Sequence, residues 1–187
     1  MTTSYSSTDK SAPMPSAPMK YLEDGRVDWG TMWDTFCAPA WDGGPPHRGT
    51  MLYAAVPADS TSAQYQAVVA ELIRGITAVS GLPAAPAEPG WIAVACASPA
   101  MAQWLGESIV LENVAARWDA ATLLLPAGPH YTLGGEIKNV ITVIAKSHHY
   151  WIEHLPTDVK RTLAVQNWLA QMGERVQGWL RPHATRS

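Results

Sequence analysis

Three groups of residues could do chemistry. The most conspicuous is the run His148-His149-Tyr150-Trp151-Ile152-Glu153-His154. In one dimension it resembles a metal cluster. On an α-helix adjacent residues point about 100° apart, so these side chains do not converge. Only His149 and Glu153, at i and i+4, can share an ion, and two ligands do not make a site. The run is therefore read without a metal, with His149, Glu153 and His154 on a solvated face. His148 differs, because it falls on the apolar stripe with Ile137, Val140, Ile141, Ile144, Trp151, Ile152 and Leu155. A buried imidazole must satisfy two nitrogens, and an unmade hydrogen bond costs about 1–3 kcal/mol. Either a carbonyl or hydroxyl satisfies it within the core, or it is a base or ligand facing a pocket beside Trp151.

The second group lies in Ala40–Gly49, AWDGGPPHRG. Two prolines stiffen this loop, and the glycines allow a ligand close to the backbone. It presents His47 and Arg48, and the arginine fork suits a carboxylate or phosphate. The plainer alternative is a tight turn with Arg48 paired to Asp42. The phosphate-loop spacing GxxxxGK[ST] is absent.

The third group is Cys96, Ser98 and His130. Cys96 stands just before a helix opened by Ser98-Pro99, where free amides and the helix dipole favour a thiolate. His130 could reach the same strand end and complete a Cys–His nucleophilic pair. The plainer alternative makes Cys96 a small buried hydrophobe. Cys37 lies on an apolar stripe and is read as inert.

These residues need elements to hold them. Tyr65, Val68, Val69, Leu72, Ile73, Ile76 and Val79 mark a helix over 61–80, closed by Gly81. A second helix starts at Ser98-Pro99 and turns Met101, Trp104, Leu105 and Ile109 inward. Two more span 136–155 and 157–180, separated by Pro156, and a short one covers 28–37 with Asp28 as its cap. Thr50–Val56 and Trp91–Cys96 read as buried strands, with 82–90 as a loop. Residues 113–126 read as a hairpin around Trp118-Asp119-Ala120. The expected fold is α/β: a layered sandwich with a small mixed, partly parallel sheet under helices, and a C-terminal helix pair.

Composition narrows the function. The chain has 187 residues, is 47% hydrophobic and 16% charged, and carries a formal charge of −3. Residues 1–20 read as a disordered tail and 21–187 as one domain. The absence of a basic patch excludes nucleic acid as the main partner, and no apolar run is long enough for a membrane span. Two cysteines without disulfide or zinc spacing suit a reducing cytoplasm. Nine tryptophans against one phenylalanine suggest either core packing or the wall of a pocket for a flat ligand.

The leading expectation is a small-molecule or cofactor-binding protein, with catalytic candidates His47, His148 and Cys96. Its ligand-binding candidates are Arg48, Ser98, His130 and Trp151. Neither cofactor nor reaction is specified. One alternative is an interaction or homo-oligomerisation module docking through Trp168, Met172 and Trp179 of the last helix. Another is a metal-dependent enzyme using His47, His130, His149 and Glu153.

Overall fold

The structure is a computed structural model that describes residues 19–31 and 48–180. Most of the expected tail lies outside those residues. So do the helix beyond Thr31, with Cys37, and the loop up to and including His47.

The first two long helices form where their stripes and caps require. Helix α1, Ala63–Ser80, buries Tyr65, Val68, Val69, Leu72 and Ile76. Ser62 Oγ caps it by accepting from Tyr65 N at 3.3 Å, and Gly81 ends it in the left-handed conformation at φ 69°. Helix α2, Pro99–Leu111, buries Met101, Leu105 and Ile109. Ser98 Oγ accepts from Met101 N at 3.2 Å.

The sheet departs from expectation. Four strands, β1 (Ala84–Pro86), β2 (Trp91–Ala95), β3 (Arg117–Asp119) and β4 (Thr122–Pro126), pair in the order β1-β2-β4-β3. All three pairings are antiparallel. The expected hairpin is present as β3–β4, turning at Ala120 with φ 47°. The expected strand Thr50–Val56 is not a strand. Both flanks of β2 are taken, by β1 and β4, so no place beside it remains. Instead that segment crosses one end of the sheet. Leu52 makes a single parallel bridge to Val114, and Ala55 N donates to Ala127 O at 3.1 Å. The partly parallel sheet is thus corrected to an antiparallel one, and part of the 82–90 loop becomes edge strand β1.

Ile92 and Val94 of β2 stand opposite Leu125 and Leu123 of β4, and all four are fully buried. Each such side chain is worth about 2 kcal/mol of burial. Helix α1 packs on β1 and β2, and α2 packs on β3 and β4. Helix α3, Lys138–His149, packs in turn on both helices. A turn at Leu133–Ile137, kinked at the non-helical Gly135, leads into it, and a π-helical turn at Tyr150–His154 extends it. Val140, Ile141, Val143, Ile144 and Ala145 are buried together with Thr142 and Lys138, so α3 is enclosed nearly all round. Ile141 reaches α1 where residue 75 is glycine, and a Cβ there would land on Ile141 Cδ1. Pro156 ends this run, and helix α4, Thr157–Leu180, packs against α2.

Residues 19–31 are clipped onto α1. Trp29, almost wholly buried, donates from Nε1 to Glu71 Oε1 at 2.8 Å. Arg74 pairs with the same carboxylate and donates to Val27 O at 2.9 Å. Burial raises the Glu71 proton affinity, but the bonds from Arg74 and Trp29 outweigh it and hold the carboxyl below its ordinary range. A carboxyl lowered in the folded state stabilises above its unfolded pKa, and that contribution is lost as pH falls through the folded value. Glu71→Gln should therefore lower the melting temperature at pH 7. The deficit should shrink as pH drops below about 4. A deficit independent of pH in thermal melts would show that the charge contributes nothing.

Candidate functional site

The end of the sheet crossed by the 52–55 segment collects several functional groups. The turn Gly128–Tyr131 folds there, ahead of α3. Tyr131, buried, donates from its hydroxyl to Tyr53 O at 2.7 Å. Burial, with the nearby Glu136 charge, pushes the Tyr131 phenol up, while Arg48 acts in the opposite direction. His130 is exposed and meets the Tyr131 ring edge-on at 5.1 Å. Glu136 Oε2 accepts from Thr132 N at 2.9 Å and from Thr132 Oγ1 at 3.0 Å. Burial opposes its ionisation, yet the Thr132 bonds and Arg48 hold the carboxyl low.

Arg48 is positioned through its backbone. Asn113 is buried in the left-handed conformation at φ 59°, and its Nδ2 donates to Arg48 O at 2.7 Å. Arg48 Nε donates to Thr50 O at 3.2 Å. The structure thus gathers Arg48 and His130, both expected from sequence, with Tyr131 and Glu136, which were not. Thr132 caps no backbone N–H and its hydroxyl donates to Glu136 instead, so no capping-box spacing announces Glu136 in the sequence. Tyr131 carries no local signal.

A cleft of about 350 Å³ opens on the same kinked turn. Its lining is Gly25, Arg26, Val27, Ala67, Val68, Glu71, Leu133 and Ile137. Arg26 was not singled out from sequence, because nothing local links it to residues a hundred positions away.

The Cys96–His130 pair is not assembled. Cys96 N donates to Ala121 O at the start of β4, and His130 follows the far end of that strand. Five strand residues separate the two ends by about 16 Å. Cys96 is half-buried and burial pushes its thiol up to about 11, so the helix start does not yield a thiolate. Ser98 Oγ is engaged in capping α2.

His148 is half-buried, and burial, followed by the charge of His149, lowers its proton affinity. It lies twelve residues along the helix from Glu136, about 18 Å. Arg48 and His148 therefore occupy opposite ends of α3. Trp151 is buried and tilted at 52° onto Trp104, centroids 5.8 Å apart, with Lys160 Nζ 5.6 Å from its ring.

Other described tryptophans also pack. Trp91 lies beneath the Arg117 guanidinium, Trp118 closes on Gly106, and Trp29 is the clip on α1. Among the described residues, no tryptophan lines the cleft.

The π-helical turn at Tyr150–His154 rearranges the histidine run. An α-helix would set His149 and His154 about 140° apart. Here their Nε2 atoms are 3.2 Å apart, and His149 Nδ1 is 3.9 Å from Glu153 Oε1. Glu153 and His154 are exposed as expected and His149 is half-buried, but the same face is covered further back along the helix. Lys138 and Thr142 are buried, and Lys146 pairs with Glu112 where both are mostly shielded. Among the described residues, no three or more His, Cys, Asp or Glu side chains are grouped to hold a metal, and no helix is long and apolar enough to cross a membrane. Comparison with known proteins finds no match: no family profile, no curated sequence and no solved structure resembles the chain.

The raised Cys96 thiol gives a direct test. At pH 8 its alkylation by iodoacetamide, read on its own peptide by mass spectrometry, should be on the order of a hundredfold slower than that of a free cysteine. The rate should climb with pH beyond 10. Labelling at the free-cysteine rate would return Cys96 to the list of nucleophiles.

Proposed function

We propose that the protein binds a small molecule with an apolar body and an acidic group, in the cleft beside the Leu133–Ile137 turn. The cleft itself carries this reading. Its volume, about 350 Å³, is within the range of small-ligand sites. Val27, Val68, Leu133 and Ile137 supply apolar walls, and Arg26 supplies a permanent cation. Glu71, also in the lining, bonds to Arg74 and Trp29, which offsets its charge towards an acidic ligand. Arg48 and the exposed His130 are outside the cleft lining and remain ligand-binding candidates at the sheet end, beside Tyr131 and Glu136; His148 is also outside the cleft.

The dye 8-anilinonaphthalene-1-sulfonate has the required character, an apolar body with a fixed anion. Its fluorescence should rise saturably with the folded protein. Ala67→Trp, which fills the cleft from the exposed side of α1, should abolish that rise, and Arg26→Ala should weaken binding several-fold. Wild-type affinity in Ala67→Trp would refute the cleft as the site.

A second reading, self-association, has its own observation. Val165, Leu169 and Met172 on α4 are 57%, 56% and 42% exposed. Their spacing of four and three is that of a two-helix seam, and the sequence continues it through Val176 and Trp179. The side chains of Trp168 and Trp179 lie outside the described residues. The occupant proposed for this stripe is α4 of a second copy, which presents the same stripe. Sedimentation equilibrium should give a dimer that Leu169→Asp converts to monomer, whereas a wild-type monomer at tens of micromolar would end this reading.

A further inference from the structure

We propose that His149 and His154 together bind a divalent transition metal ion, zinc or copper, at the π-helical turn that ends the core helix. This site lies at the opposite end of the helix from the cleft and does not depend on it.

The argument begins with helical pitch. A π-helical turn closes its hydrogen bond at i+5, which brings residues five apart onto one face. Leu155 N donates to Tyr150 O at 2.9 Å, so the widened turn is hydrogen-bonded through its end. Lys160 Nζ donates to Ile152 O at 3.2 Å and ties the turn to α4. His149 and His154 are five apart, and their rings meet at 5.0 Å between centroids. The two rings are hydrogen-bonded through their Nε2 atoms, 3.2 Å apart, one carrying the proton and the other accepting, and moving that proton to Nδ1 turns both Nε2 atoms into donors for an ion. Two imidazole nitrogens on a tetrahedral zinc, each about 2.05 Å from it, stand about 3.3 Å apart. The pair therefore already has the bite of a bidentate site.

Glu153 supplies the outer partner. Its Oε1 is 3.9 Å from His149 Nδ1, a short movement from accepting that N–H. A carboxylate on Nδ1 fixes the tautomer that leaves Nε2 as the donor and raises its basicity, as for many metal-bound histidines. Tyr150 flanks the other ring, its centroid 5.1 Å from that of His154. The side chain of Glu153 is 61% exposed and His154 is exposed, so an ion has a path in. Imidazole pairs suit zinc, copper and nickel, whereas oxygen-seeking ions such as magnesium would be refused. Two histidines are too few for a closed structural site, and what they offer is a weak, exchangeable bidentate one.

The test uses the full chain, stripped of metal with a chelator, and Zn²⁺ or Cu²⁺ added alone. Isothermal titration should show one Zn²⁺ per chain, weakened at least tenfold in His149→Ala and in His154→Ala. Glu153→Gln should weaken it less. His130→Ala and His148→Ala should bind as wild type. With Cu²⁺, electron paramagnetic resonance should show splitting from two imidazole nitrogens, reduced to one in either His149→Ala or His154→Ala. Far-ultraviolet circular dichroism checks that each variant is folded. Absence of Zn²⁺ and Cu²⁺ binding in wild type, or unchanged binding and splitting in folded His154→Ala, would overturn the proposal. Equal loss in His130→Ala would place the ion elsewhere and overturn it too.

Discussion

The end of Ile141 occupies the space a side chain on residue 75 would need, and much of the fold follows from that contact. Gly75 lets α3 approach α1 closely enough for Ile141 to be fully buried, and Trp29 Cδ1 lies 3.2 Å from where the Cβ would stand. One point thus joins α1, α3 and the 19–31 segment. Close packing makes such a point unforgiving, because interiors have few voids to absorb an added carbon. With α3 held there, its two ends are fixed in space: the Thr132–Glu136 turn beside the cleft, and the His149–His154 turn beside α4.

The helices were legible because their signals are local. Ser62 and Ser98 cap where a hydroxyl before an apolar stripe predicts, and Gly81 stops α1 where a left-handed residue is needed. The β3–β4 hairpin was legible for the same reason. Sheet order was not, because pairing depends on which strands reach β2 first in space. Thr50–Val56 has strand composition, but it crosses the sheet end once β1 and β4 flank β2. Pro86 in a three-residue strand hid β1 from any pattern.

Of the candidate residues, only those named by residue type were legible. Arg48 and His130 could be named from residue type, since loops on a rigid frame often carry function. The fold brings Arg48 near Tyr131 and Glu136, while Arg26 lies in the lining of the cleft. The histidine run shows the limit of a helical wheel. A wheel assumes constant pitch, and one widened turn moved His154 from far around the helix onto His149. It also assumes that polar residues face water. Lys138 and Thr142 are instead buried on a helix enclosed nearly all round, and burial makes the Lys138 ammonium easier to deprotonate.

The two outer strands of the sheet carry a consequence for how copies of this chain can meet. β1 and β3 are three residues each, and β1 ends in a proline that has no N–H to donate. A foreign strand laid along either flank would find few backbone partners, too few to extend the ladder. Growth by strand addition, the route to fibres, is thereby disfavoured along both borders. Association is left to side-chain surfaces, whose affinity a single substitution can tune, rather than to a backbone that every sequence shares.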